Sequence, residues 1–157
     1  MKCEATLDDH GRCTLLVDGA VQWQVDTGAG PTPGNPFREA LSWPEGAVVV
    51  VGSGATAIAL SRARGDVLGR RDVPDGFGHF AAVTSRTRGP LLLILGWCHV
   101  QALDTRLELV WSARDLAIDG LLLLGCDGDT LRLSAELDPP GGWVDVSLDL
   151  DSGARLG

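Results

Sequence analysis

Three histidines, His10, His79 and His99, are the only imidazoles in the 157-residue chain. Nucleophilic catalysis needs one of them beside a Ser or Cys, with a third group to orient it. Cys98-His99 is the one adjacent Cys–His pair, and neighbouring side chains on a strand point to opposite faces, so the two do not meet. Gly52-Ser53-Gly54-Ala55-Thr56-Ala57 approximates a dinucleotide-binding loop, and the following 58–64 has residues a helix would accept. Gly65 stops that helix after about two turns, no second βαβ unit follows, and the acidic residue such a fold needs is at best Asp72 or Asp75. The segment reads better as a hairpin turn. Asp127-Gly128-Asp129 and the pair Asp149 and Asp151 suggest calcium, but neither run supplies the further ligands and distant Glu of a calcium loop. Asp-Gly is instead a strong two-residue hairpin signal. No catalytic residue, metal site or cofactor is assigned.

The remaining candidates are binding residues. Asp138-Pro139-Pro140-Gly141-Gly142-Trp143 fixes φ at two prolines and frees it at two glycines, so it is a shaped loop that presents Trp143. Trp143 either plugs the core or anchors a partner on a binding rim, where Trp is favoured. The same alternatives hold for Trp43 and Trp97, while Trp111 closes a strand and belongs to the core. The candidate binding set is therefore Trp143, Trp97, Trp43, His79 and Asp138.

The elements that must position these residues are short. Val48–Val51, Leu91–Leu95 and Leu121–Leu124 are apolar runs with the length of strands buried on both faces. Each is followed by a turn and an alternating strand: 56–61, 99–104 and 130–134. Turns at Arg64-Gly65-Asp66 and Thr105-Arg106 lead into closing strands at 67–70 and 107–112. Cys13–Val17, Asp18-Gly19 and 20–26 form a further hairpin, and 144–150 alternates strictly. Gly28–Pro36 is a loop, 74–78 is a turn cluster, and 36–41 is expected to form one helical turn capped by Asn35. The apolar runs start 43 and then 30 residues apart. No segment sustains a 3.6-residue apolar period, which argues against α/β folds.

Val100–Asp104 through Leu109-Val110-Trp111, and Leu148–Gly153, resemble the strand–turn–strand repeats of quinoprotein-like and WD40-like β-propellers. In those repeats an alternating strand ends in Asp, turns at Gly and closes on Trp. The Gly-His and Trp-Asp pairs of WD40 blades are missing. The resemblance implies architecture and no cofactor or activity. Trp111–Gly120 and Glu136–Trp143 also resemble segments of uncharacterised bacterial single-domain proteins. The expected fold is thus all-β, one domain over 1–157, a small β-propeller-like ring or a twisted antiparallel meander of about four hairpin repeats.

Glycine, at 21 residues, and eight prolines match a turn-rich fold. The net charge of −8 excludes phosphate-driven nucleic-acid binding and adsorption to an anionic membrane. The first nine residues lack the apolar core of a signal peptide, so a reducing cytoplasm is expected. The four cysteines then stay thiols, with Cys98 and Cys126 as small core residues. The composition suggests a bacterial source. The function expected is non-catalytic binding of another, basic protein, in a specific version an immunity or antitoxin-like protein. The rivals are a small hydrolase or lyase with His79, Asp75 and Arg86 at a propeller mouth, and a regulatory domain that senses a small molecule.

Overall fold

The computed structural model describes residues 1–44 and 47–157. Those residues hold four antiparallel sheets and no helix, and each sheet is built from strands in sequence order. The first comprises β1 (Cys3–Leu7), β2 (Arg12–Val17) and β3 (Ala20–Asp26). The second comprises β4 (Arg38–Trp43), β5 (Val48–Ser53), β6 (Thr56–Ser61) and β7 (Val67–Asp72). The third comprises β8 (Phe77–Ser85), β9 (Gly89–Gly96), β10 (Val100–Leu103) and β11 (Leu109–Ala113). The fourth comprises β12 (Leu121–Asp127), β13 (Thr130–Asp138), β14 (Gly142–Asp149) and β15 (Arg155–Leu156). The chain divides into two compact units, 1–80 and 81–157.

In the first unit, one face of β2 packs on one face of β5 and β6. Cys13, Leu15, Val49, Val51, Ile58 and Leu60 form that core, each at most 1% exposed. The outward face of β1–β3 carries Glu4, Thr6, Gln22 and Gln24, all exposed, which is the alternation of a half-buried antiparallel sheet. Trp23 of β3 donates its indole N–H to the Arg62 carbonyl at 2.6 Å. Its ring lies on Gly65, where a Cβ would come within 3.1 Å of the indole; φ there is +76°.

The second unit repeats the device. Leu91, Leu93 and Leu95 of β9 pack with Leu131 and Leu133 of β13 and Val146 and Leu148 of β14. Trp111 of β11 donates to the Leu150 carbonyl at 2.8 Å, and Gly153 lies under the ring with φ +70°. A second tie joins the β8–β9 turn to the turn after β14. Ser85 Oγ and Thr87 Oγ1 both donate to the Asp151 carboxylate, and Arg88 Nε donates to the Asp151 carbonyl at 3.0 Å. These hydroxyl donors hold the Asp151 carboxyl below the usual carboxylate range.

The structure corrects several expectations. The segment 36–41 is not helical: 38–43 is β4, paired residue for residue with β5 from Arg38↔Ser53 to Trp43↔Val48. Six ladder pairs outweigh a single helical turn, whose nucleation is unfavourable. Asn35 is buried and does cap a turn: its Oδ1 accepts the Phe37 N–H at 3.1 Å, while its Nδ2 donates to the Gly54 and Phe77 carbonyls. The strands that open the first three sheets, β1, β4 and β8, were not expected: β1 and β4 carry no apolar run, and the run 80–83 of β8 is half alanine. The Leu121–Leu124 run is not buried on both faces. Leu122 and Leu124 are exposed, because only one face of the fourth sheet packs. It is also the first strand of its sheet, whereas the Val48 and Leu91 runs lie in second strands. The second strands start at 12, 48, 89 and 130, so the repeat is 36, 41 and 41 residues and close to even. Cys98 is half-buried and Cys126 exposed, near the 127–129 hairpin tip; Cys13 is the core cysteine, and burial pushes its thiol up to about 11.

Replacing Trp111 by Phe keeps the ring but leaves the buried Leu150 carbonyl without its donor, which costs about 1–2 kcal/mol. Gly153→Ala adds both left-handed strain and a clash with the indole, and costs roughly 2–4 kcal/mol. Urea unfolding midpoints of the two variants against the parent check both values and their order.

Candidate functional site

The fourth sheet has one packed face and one open face. On the open face, the register places Trp143 opposite Glu136 and Asp145 opposite Ser134, which is opposite Leu122. The side chain of Trp143 is 41% exposed. A Cβ on Gly120 would stand 3.0 Å from the indole Cη2, so the ring reaches across β13 and rests on Gly120. Glu136 lies between them at 9% exposure, and its Oε1 accepts the Gly141 N–H at 2.5 Å. That bond holds the 138–142 turn, which includes a cis Pro139–Pro140 bond. Gly142 is required there, because a Cβ would lie 2.5 Å from the Asp138 Cβ.

On this face Leu122 is an exposed apolar side chain, and Ile118, bonded through its N–H to the Glu136 carbonyl, and Leu137, next to Glu136, are exposed as well; Val144 is exposed on the opposite face. Asp138 and Asp145 are exposed at the same end of the sheet. Arg132 stands 3.8 Å from Asp145, and Arg155 lines the cavity beside it. An exposed aromatic ringed by aliphatic side chains and carboxylates suits a partner that is apolar and positively charged, because the π-face attracts cations and the carboxylates attract them at longer range. The neighbouring cavity, about 440 Å³, is lined by Asp145, Val146, Ser147, Arg155, Leu156 and Gly157.

The other candidate residues lie elsewhere. Trp43 is 3% exposed and serves the core. Trp97 is half-buried in the turn after β9, and its indole nitrogen is buried with no hydrogen-bond partner among the described residues. His79 lies on β8 beside the Glu39 carboxylate; burial pulls its pKa down and Glu39 opposes that shift. Glu39 Oε2 also accepts the Phe80 N–H at 2.7 Å. Asp75 is half-buried in the turn before β8. Arg86 is exposed and pairs with Asp129 at 3.6 Å. Among the described residues no group of three or more His, Cys, Asp or Glu is arranged to hold a metal ion. Among the described residues no helix is long and apolar enough to cross a membrane. Leu122 and Gly120, which share the open face with Trp143, were not singled out from the sequence. The strict alternation of 144–150 was the signal for β14, which carries Trp143.

No family model matches the chain, and no curated protein matches it. Solved structures do. BamB from Moraxella catarrhalis, a β-propeller, is similar over 98% of this chain and 44% of that one, with a TM-score of 0.66 and 16% identity. The crystal structure of BBS1N in complex with ARL6DN, soaked with lead, matches over 91% of this chain and 42% of that one, with a TM-score of 0.65 and 16% identity. Its mercury-soaked counterpart gives 0.63, 16% identity, 97% and 48%. This chain spans less than half the length of these structures. The likeness shows the fold: an all-β, β-propeller-like arrangement of four antiparallel sheets.

The lowered pKa of His79 has a consequence for stability. The unfolded chain takes up the proton first, so the stability that neutral His79 contributes is present above about pH 6.5 and is lost as the pH falls below it. His79→Gln therefore flattens the fall in thermal midpoint between pH 7.5 and 5. Asp8 and Asp151, whose carboxyls are held low by hydrogen bonds, act only at more acidic pH and leave that window unchanged. Melting curves across the range check it.

Proposed function

We propose that this chain is a non-catalytic protein-interaction module that binds a basic partner through the open face of its fourth sheet, with Trp143 as the anchor and Asp138 on the rim. The observation that carries the reading is an indole, 41% exposed, held in place by Gly120 and the Glu136-braced turn instead of being left mobile. A residue that costs this much local order to hold in solvent is the kind that dominates binding energy at an interface. The net charge of −8 supports a basic partner, since long-range attraction raises the association rate and disfavours acidic competitors. The likeness to BBS1N, whose solved structure is a complex with ARL6DN, supports a protein partner for this type of fold. A specific version is an immunity or antitoxin-like protein of the bacterial cytoplasm that covers a basic surface of a toxin.

The test is titration calorimetry against the basic product of a neighbouring gene. Trp143→Ala is expected to weaken the complex about tenfold or more. Raising the salt from 50 to 500 mM is expected to slow association while dissociation changes less. A partner that binds as tightly to the Trp143→Ala protein and is indifferent to salt overturns the reading.

A further inference from the structure

The first unit holds a cavity of about 500 Å³ that is lined from both of its sheets. Leu15 and Val17 of β2 and Gln22 of β3 contribute from the first sheet. Ser61 of β6, Arg62 and Ala63 of the turn that follows, and Leu68 of β7 contribute from the second. The volume is in the range of small-molecule sites, roughly 300–1,000 Å³. Leu15 is 1% exposed and Leu68 54%, so the apolar wall runs from the core out to solvent.

Arg62 is the only charged side chain among the described residues that line this cavity. Its backbone is fixed, because its carbonyl accepts the Trp23 indole N–H at 2.6 Å. The turn around it is closed by Ser61 N–H on the Asp66 carbonyl and by Gly65 N–H on the Ser61 carbonyl, each at 2.7 Å. Arg62 Nη2 donates to Cys3 Sγ at 3.1 Å and to Met1 Sδ at 3.5 Å, and sulfur is a weak acceptor. Among the described residues Nε and Nη1 have no acceptor, and no carboxylate lies within ion-pair distance. By contrast, Arg38, Arg64, Arg86, Arg106 and Arg132 each pair with an aspartate. The chain carries 21 acidic side chains against 13 basic ones, so carboxylates are plentiful. A half-buried guanidinium that keeps two nitrogens unused in such a chain is set to receive an oxyanion from outside.

We propose that this cavity binds a small aliphatic carboxylate, with the carboxylate on the Arg62 guanidinium and the hydrocarbon chain along Leu15, Val17 and Leu68. The planar fork of the guanidinium matches a carboxylate with two parallel hydrogen bonds. A monoanion is favoured over a dianionic phosphate, because one guanidinium faces it in a protein whose net charge is −8. Ser61 and Gln22 are the other polar side chains of the lining and offer further donors to the head. The hydrocarbon chain covers apolar surface that Leu68 now leaves in water. This site is separate from the Trp143 face, which belongs to the other unit, and does not rest on the partner reading above.

The probe is octanoate, titrated into the full chain and followed by NMR. Saturable shifts of the Arg62 Nε–H and of the Val17 and Leu68 methyls are expected. Octanol, which has the chain without the charge, is expected to bind about tenfold or more weakly, and octylamine not at all. The protein is unaltered in these comparisons, so no folding defect enters them. Arg62→Gln keeps the carbonyl that Trp23 needs and is expected to weaken octanoate about tenfold or more. Leu68→Asp, at an exposed position, sets a carboxylate beside the cavity and is expected to do the same. Octanol binding as tightly as octanoate, or octanoate shifts that are unsaturable or that bypass Arg62, overturns the proposal. A blocked peptide ending in a free leucine carboxylate that binds more tightly than octanoate overturns the assignment to a small molecule and gives the cavity to a protein carboxy-terminus.

Discussion

The structure depends on an indole N–H that reaches from one sheet to a carbonyl in the next. Trp23 bonds Arg62, and Trp111 bonds Leu150; each partner lies 39 residues on. Three residues further, Gly65 and Gly153 leave room for the ring, both with positive φ. A single sheet of three or four short strands cannot bury its apolar face alone. The tryptophan solves that problem by covering large apolar area and by satisfying a turn carbonyl that would otherwise be buried without a donor. Glycine is required under it for two reasons at once, since any Cβ would meet the ring and the backbone is left-handed. The same pair of constraints in both units marks the repeat more firmly than any match of strand residues.

Turn chemistry sets the register that this device needs. Asp8 and Asp104 each accept two backbone N–H groups, from residues two and four further on, and each closes its turn with its own N–H on the carbonyl four residues on. The left-handed position in the first turn is Gly11, whose Cβ would meet the Ala29 carbonyl; in the second it is Leu107, at φ 67°. The carboxylate bonds make the turn robust enough to carry a leucine where glycine is the easier residue. A slip of one residue in either hairpin would exchange the packed and solvent faces of the strands it joins.

Much of this was legible in the sequence, for a physical reason. Strands with β-branched or leucine runs bounded by Gly and Asp, such as β5, β9 and β13, announce themselves because burial and turn geometry both leave a mark on composition. β1, β4 and β8 do not. They are half-covered, so they tolerate Glu4, Arg38 or Thr84, and 36–41 even imitates a helix start, with Asn35 and Pro36 in the right order. Missing these opening strands also misaligned the repeat, since Leu121–Leu124 was compared with second strands although it opens its own sheet. Trp111 was placed correctly because the strand pattern dictates its face. Trp43 and Trp143 were indistinguishable in sequence, because a rotation of one residue in a short strand separates a buried tryptophan from an exposed one.

The contrast between Trp111 and Trp143 shows how one residue type serves two ends on the same pair of sheets. Both indoles lie against a glycine. Trp111 continues past Gly153 to a carbonyl donor-acceptor bond and is closed over by the leucines of β9 and β13. Trp143 stops at Gly120 with its other face in solvent. Exposed aliphatic side chains beside an open indole make an apolar patch, and charge at its border limits unselective association. Asp138 and Asp145 supply that charge, and because both are acidic they favour a basic surface and repel the chain's own acidic one. The charge that protects the patch is thus the same charge that would select what binds it.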